Sequence, residues 1–317
     1  MLVHEYVRPR PREYDGPLVT VVIATYNRSE VLRYALRSAL DQSYRSLEVI
    51  VAGDGCTDDS EQVVASFGDP RVRWINLEAN TGNQAGPNNA ALEIANGELI
   101  AYLGHDDMWR RDHVALLVAA VERGADLAYT VADSIFSQGR AAGRRFTCQP
   151  VGEPALPGTV MHRRSLYEQG VRWPDWRESV DAPDYAFFQR MVAAGARIAR
   201  VPVLTLVKFP ASARRNVYRE RRSREQERFE RRMNRRGFVA REVATGIALL
   251  PLRARTRLPV DQAQYTKPGA LVAELRRFRG LEGDPLGDGE GARPAGVASA
   301  EVESPEPERE HDRGASR

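Results

Sequence analysis

Residues Gly97–Trp109, GELIAYLGHDDMW, join an apolar strand to a cluster of charge, and that junction limits the folds open to the chain. Leu99–Leu103 has the length and composition of a strand covered on both faces of a parallel sheet. Gly104 then frees the backbone, and His105, Asp106 and Asp107 follow directly. Two adjacent carboxylates at the end of a buried strand repel each other, and a divalent cation offsets that repulsion. Mg²⁺ and Mn²⁺ prefer oxygen ligands and bind through one or two carboxylates plus a substrate's phosphates. In open α/β sheets the ligand crevice lies outside the carboxyl ends of the strands. The competing reading is that Asp106 and Asp107 only cap a helix starting near Arg110.

The same junction recurs upstream. Leu18–Ala24 is a β-branched strand that ends in Thr25, Tyr26, Asn27 and Arg28. Ser29 is the N-cap candidate for a helix to about Leu40, with Val31, Leu32, Ala35, Leu36 and Ala39 at helical spacing. Leu47–Ala52 is a second strand, running into Gly53, Asp54, Gly55 and Cys56. A helix over Ser60–Phe67, a strand over Val72–Leu77, a polar loop and a helix over Ala85–Ala95 lead to the opening strand. Strand and helix in alternation, with polar residues at each strand's carboxyl end, predict a doubly wound α/β domain. There is neither a GxGxxG nor a GxxxxGK[ST] turn, which argues against a dinucleotide enzyme and a P-loop ATPase.

At 317 residues the chain can bury a full core. Cys56 and Cys148 give no disulfide framework and point to a reducing compartment. The first residues contain no apolar signal-peptide core, and no apolar run approaches the roughly 20 residues needed to span a bilayer. The expectation is a cytoplasmic protein, with peripheral contact to the inner face of the membrane left open. Charge is unevenly spread. Residues 281–317 hold ten Asp/Glu against four Arg, a net of −6, which leaves +9 on residues 1–280 of the chain's overall +3.

VTVVIATYNR, VIVAGDGCTDDS, NTGNQAGPNNA and GELIAYLGHDDMW, in this order and spacing, resemble the family 2 glycosyltransferases, nucleotide-diphospho-sugar transferases of the GT-A fold. The resemblance implies a nucleotide-sugar donor across the strand ends and carboxylates that hold a bridging Mg²⁺ or Mn²⁺. It implies Asp107 as the direct metal ligand, with Asp106 facing the ribose or a metal-bound water. It implies a nucleotide site drawn from Thr25, Tyr26, Asn27, Asp54, Asn80, Gly82, Asn88 and Asp106. Tyr26 corresponds to the family's ring beside the nucleobase, and Asp54 to a carboxylate that accepts the ring N–H of uracil, thymine or guanine. The structural alternatives are a strand-end packing role for Tyr26 and a turn role for Asp54. Asp58 and Asp59 read as charges complementing a helix N-terminus. The chain departs from the family pattern at Gly53 and Gly104, often aspartates, and at Pro87, where an arginine is common.

The acceptor half reads as a helix from Trp109 to Arg123, a strand over Ala125–Thr130, loops to Pro157, a short strand over Gly158–His162 and a helical turn over Arg163–Gln169. Trp173 and Trp176 in VRWPDWRES suit either an acceptor lid or a loop anchored on the core. DAPDYAFFQR resembles the family's acidic stretch before a helix. That resemblance implies Asp184, with Asp181 as the alternative, as the base that deprotonates the acceptor. Arg197–Val207 reads as two short strands. Lys208, Arg214 and Arg215 are candidates for the donor diphosphate.

Between Ala211 and Ala240 stand eleven Arg and four Glu. This stretch reads either as a solvated helix laced with pairs such as Glu227–Arg231, or as contact with an anionic membrane. The interleaved glutamates argue against nucleic acid. The organisation expected is a lead-in (1–17), a donor half (18–130), an acceptor half (131–210), a basic helical extension (211–280) and a disordered acidic tail (281–317). The fold expected is α/β and GT-A-like, with a mixed central sheet. The function expected is metal-dependent transfer of a sugar, from UDP in the first instance, to a carbohydrate or lipid-linked acceptor hydroxyl with inversion. The competing expectations are an inactive homologue that only binds, and a nucleotidyltransferase, for which ATYNRSE lacks the glycine-rich basic loop.

Overall fold

The computed structural model describes residues 16–136, 143–147, 155–219, 223–248 and 266–281. Most of the expected lead-in and nearly all of the acidic tail lie outside these residues, as does Cys148.

Four parallel strands form the half of the sheet built from residues 19–102. They are β1 (Val19–Thr25), β2 (Leu47–Gly53), β3 (Val72–Asn76) and β4 (Leu99–Tyr102). Val19 pairs with Leu47 on one side and with Leu99 on the other, which gives the order β3-β2-β1-β4. The chain reverses direction across the sheet between β1 and β4, and the crevice of an open sheet lies at such a switch point. The helices α1 (Ser29–Leu40), α2 (Ser60–Ala65) and α3 (Ala85–Glu93) make the crossovers. Val31, Leu32, Ala35, Leu36 and Ala39 form the buried face of α1, as their spacing requires.

The sheet then becomes mixed. β4 pairs antiparallel with β8 (Val160–Arg163), and β8 pairs antiparallel with β6 (Leu127–Phe136). β6 runs parallel to β9 (Ile198–Lys208), which pairs antiparallel with β5 (Met108–Trp109). A further strand, β7 (Gly143–Thr147), lies on the other part of β6. The remaining helices are α4 (His113–Glu122), α5 (Arg164–Glu168), α6 (Pro183–Ala193), α7 (Arg224–Met233), α8 (Phe238–Ala248) and α9 (Ala270–Arg279). One apolar layer joins α1 and α4 to the sheet, and the other joins α3, α6 and Trp173. The mixed α/β sheet expected from the sequence is the fold observed.

Two expectations need correction. The helix expected from Trp109 starts only at His113. Met108 and Trp109 are taken into the sheet, where the Trp109 indole is buried and donates to the Gly158 carbonyl at 2.6 Å. The two short strands expected over Arg197–Val207 are one strand. Its register against β6 jumps from Arg200 to Leu204, and Pro202, which has no N–H to give a ladder, falls inside that irregularity.

The basic stretch packs onto the domain. Phe229, Met233 and Phe238 bury against Met108, Val207 and Phe209. Its arginines are laced with glutamates: Arg37–Glu230 at 2.7 Å, Arg214–Glu225 at 2.9 Å, Arg232–Glu242 at 3.3 Å, and Arg231 with Glu227. Among the described residues no helix is long and apolar enough to cross a membrane.

Candidate active site

Thr25 and Gly53 are register partners at the ends of β1 and β2, so Tyr26 and Asp54 leave the sheet side by side. Asp54 is buried. Its Oδ1 accepts from the Thr81 amide (2.8 Å) and hydroxyl (2.7 Å), and its Oδ2 from Asn80 Nδ2 (3.0 Å). Burial pushes its pKa up to about 6, against the hydrogen bonds from Thr81 and the field of Arg276. Gly82, with φ of 102°, takes the left-handed turn that brings this loop round. The Thr25 hydroxyl beside it is buried and has no hydrogen-bond partner among the described residues.

Asn27 is left-handed too, at φ 47°, and accepts from the amides of Thr57 (2.8 Å) and Asp58 (3.1 Å). It therefore locks the β1 and β2 loops together. Asp58 accepts from the Ser60 amide at the start of α2 (3.1 Å), and Asp58 and Asp59 also accept from Ser29 at the start of α1. Asn88 is buried within α3, and Pro87 sits in that helix's first turn, where the missing N–H costs nothing. The departure at Gly53 has a steric reason. A Cβ there would lie 2.4 Å from Asn76 Oδ1, and Asn76 uses that space to bond the Cys56 amide and carbonyl.

At the end of β4 the two aspartates divide. Asp107 is buried, its Oδ1 held by the Phe209 amide (2.8 Å) and its Oδ2 by Lys208 Nζ (2.9 Å). No hydrogen bond reaches the Asp106 carboxylate among the described residues. Its backbone carbonyl accepts from Gln226 at 3.2 Å. Gly104 is again steric: a Cβ would meet Asp107 Oδ2 at 2.8 Å and Asp106 Oδ1 at 3.3 Å. Burial pushes Asp107 up to about 6, with the Lys208 ammonium opposing it. Burial also works against the Asp106 charge, but His105, Lys208, Arg28 and Arg214 outweigh it and hold that carboxyl below its usual range. Lys208 is likewise disfavoured by burial, yet Asp107, Asp106 and Asp184 raise its pKa.

These residues fit a divalent cation shared with a substrate. Asp106 presents an uncommitted hard oxygen donor, the type Mg²⁺ and Mn²⁺ require. Among the described residues no group of three or more His, Cys, Asp or Glu gathers into a dedicated metal cage. One or two carboxylates with the remaining ligands from phosphate and water is the usual way Mg²⁺ is held.

Asp184 lies in the first turn of α6, half-buried, and contributes to the field on Lys208. Ala182 is the N-cap and makes no side-chain bond, while Asp184 Oδ1 accepts from the Tyr185 amide of the first turn at 3.0 Å and so serves the helix end with one oxygen. Asp181 is exposed. Trp173 is not part of a lid. Its ring is buried, stacked on Phe187 at 4.3 Å and edge-on to Tyr102 at 5.2 Å, with no face left for a sugar. Trp176 is also buried, and donates to the Thr81 carbonyl of the Asp54 loop at 3.0 Å. Arg214 is spent on Pro210, Ile135 and Glu225, whereas Arg215 is exposed.

Three neighbours of the site escaped the sequence reading. Arg28 is buried at the start of α1, bonded through Nε to Glu30 at 2.7 Å, with Nη1 unpartnered among the described residues. A cation at a helix N-terminus opposes the helix dipole, and that conflict was the available signal. Tyr218 and Arg276 arrive from the far end of the chain, and nothing local marks them.

A family model described as glycosyl transferase family 2 matches residues 20–195, more than half of the chain. The chain belongs to that family. It is therefore a family 2 glycosyltransferase, and several of its relatives are recognisable. WcaA of Escherichia coli K12, a glycosyl transferase named for colanic acid biosynthesis, is 28% identical over 56% of this chain and 67% of its own length. WfaP of Escherichia coli, a UDP-Glc:alpha-D-GlcNAc-diphosphoundecaprenol beta-1,3-glucosyltransferase, is 38% identical over 29% of this chain and 36% of its own. Several other curated relatives are matched over less than half their length. Residues 1–349 of Staphylococcus aureus TarS, solved with UDP-GlcNAc, share the fold with a TM-score of 0.52 at 18% identity, over 82% of this chain and 72% of that one.

Proposed function

We propose that this glycosyltransferase moves a sugar from a UDP-sugar to a hydroxyl of a carbohydrate or lipid-linked acceptor in polysaccharide synthesis, with inversion at the anomeric carbon. The observation that carries the reading is the Asp106–Asp107–Lys208 cluster at the switch point, with Tyr26 and Asp54 at adjacent strand ends and Asp184 near Lys208. The names of WcaA and WfaP and the ligand of TarS support the donor and acceptor classes.

Tyr26 offers the base a stacking face worth about 1–3 kcal/mol. Asp54 accepts the uracil N–H through Oδ2, while Asn80 and Thr81 hold the carboxylate still. Arg28 and Lys208 offset the diphosphate charge, and Arg214 is left out because its donors are engaged. Asp106 is the direct metal ligand in this proposal. Asp107, tied down by Lys208 and Phe209, braces it from behind, which exchanges the roles expected from the family resemblance. When bound, Mg²⁺ or Mn²⁺ supplies Lewis acidity to the departing diphosphate. Asp184 takes the acceptor hydroxyl proton as the acceptor oxygen bonds to the anomeric carbon. The bond from that carbon to the diphosphate breaks, and its electron pair leaves with UDP.

A panel of nucleotide sugars tested for Mn²⁺-dependent donor hydrolysis checks the reading without knowledge of the acceptor. UDP-sugars are expected to be cleaved with Mn²⁺ and spared with EDTA, and Asp106→Asn to lose the metal dependence. No hydrolysis and no UDP binding under any condition would make the chain an inactive homologue.

A further inference from the structure

The end of the described chain folds back onto the beginning of the donor site. Helix α9 is bonded to the segment before α7: the Asn216 amide donates to the Phe278 carbonyl (3.0 Å), and the Tyr218 amide to the Arg279 carbonyl (3.2 Å). Arg219 Nε reaches the Gly280 carbonyl at 3.2 Å. These bonds make α9 and residues 216–219 one unit. Leu271 and Leu275 bury its inner face beside Ala182, and Gly269 packs where a Cβ would touch Trp176 at 3.2 Å.

That unit reaches both residues proposed to read the nucleobase, Tyr26 through Tyr218 and Asp54 through Asn80. Arg276, 7% exposed, donates from Nη1 to the Gly82 carbonyl (2.7 Å) and to Asn80 Oδ1 (3.2 Å). Asn80 in turn donates to Asp54 Oδ2. The Tyr218 ring lies 6.1 Å from the Tyr26 ring and 6.3 Å from His105, with the Arg28 guanidinium 5.6 Å from its centre. Burying a guanidinium is costly, and an apolar side chain would serve better if α9 needed only to pack. Placed where it is, the guanidinium holds a glycine-hinged loop in one geometry before any nucleotide arrives, and pre-organisation of that kind raises affinity and selectivity.

We propose that α9 with residues 216–219 is a wall of the donor nucleotide site, in which Arg276 is a positioning residue for base selection through Asn80 and Asp54, and Tyr218 backs the Tyr26 ring on which the base stacks. The proposal rests on the donor reading above. It adds that base selection is completed by a helix nearly 200 residues beyond the loop it holds, outside the 20–195 match to the family.

The test is calorimetric titration of the full chain with UDP, CDP and GDP in Mn²⁺, with thermal midpoints recorded for every variant. Wild type is expected to favour UDP over CDP by about tenfold or more, the value of one well-placed hydrogen bond. Arg276→Ala is expected to lose about tenfold in UDP affinity while CDP changes little, so that the UDP:CDP ratio shrinks. Arg276→Lys should recover part of the ratio. Tyr218→Ala should weaken all three nucleotides alike, and Tyr218→Phe should behave as wild type. Leu275→Ala loosens the helix without touching the loop, and is expected to lower the midpoint while keeping more of the ratio than Arg276→Ala. A wild-type preference that survives unchanged in Arg276→Ala overturns this inference and leaves the donor reading standing. Tighter binding by Tyr218→Ala also overturns it, because Tyr218 would then be a plug. No preference in wild type overturns both.

Discussion

Asp184 and Asp54 are both carboxylates near strand or helix ends, yet one is half-buried with a single amide partner and the other is buried among several donors. Asp184 Oδ1 accepts from the Tyr185 amide in the first turn of α6 at 3.0 Å, a bond that the side-chain oxygen of Asn can also accept, so replacing its charge removes little of the helix. Asp184→Asn is expected to keep the thermal midpoint and UDP affinity while transfer falls by roughly 10²–10⁴-fold, the loss typical of a missing general base. Asp181→Asn should turn over normally, since its side chain is exposed; a dead Asp181→Asn with an active Asp184→Asn would move the role. Asp54 is different because burial raises it to about 6. Protonation below that value costs the carboxylate its acceptor role, so uridine affinity is expected to fall as the pH drops through about 6. Uridine carries no phosphate to titrate, and Asp54→Asn should abolish the dependence. The same shift has an opposite sign for folding. The folded protein holds this proton more tightly than the unfolded chain, whose ordinary value is 3.8, so this residue's contribution to stability declines as the pH rises from about 4 to 6. Both aspartates could be singled out from the sequence, whereas Asp107's bond to Lys208 could not: the partners are 101 positions apart.

At the scale of elements, the end of β9 is what makes the acidic end of β4 tenable. Lys208 and the Phe209 amide both close on Asp107, whose side chain is 1% exposed. Lys208→Met leaves that carboxylate buried without its cation, and is expected to destabilise the fold by about 3 kcal/mol. Urea unfolding of the variant measures it, and an unchanged midpoint would show Asp107 to be satisfied by other means. The strand run β1 to β4 and the helix α1 were legible because each is local: a β-branched run buried on both faces, and an apolar stripe at helical spacing. The joins of β5 and β9 were not, because each depends on a partner strand. Met108–Trp109 continues toward a helix by local pattern, and only the vacant edge of β9 and the Gly158 carbonyl draw it into the sheet. Trp173 shows the same limit. Two tryptophans in one loop look alike in sequence, but one ring stacks on Phe187 in the core and the other ties a loop to Thr81.

At the scale of the whole molecule, the basic C-terminal part completes the domain. Phe229 packs edge-on to Phe209 beyond the last strand, with ring centres 5.5 Å apart. Phe229→Ala is expected to cost about 3–5 kcal/mol and to shift a single cooperative transition in differential scanning calorimetry. A separate low-temperature transition would instead mark α7 and α8 as an independent unit. The family, the parallel strands β1 to β4 and the acidic strand end were determined by sequence alone, since apolar periodicity and a few residues at fixed offsets from a strand end are local information. The tertiary structure decided which aspartate is engaged by Lys208, which arginines are already spent, and which helix packs on the Asn80–Gly82 loop. Those outcomes depend on burial and on partners far apart in the chain: a buried charge stays only where another element supplies its counter-charge or hydrogen bonds, and no window of sequence contains both halves of such a pair.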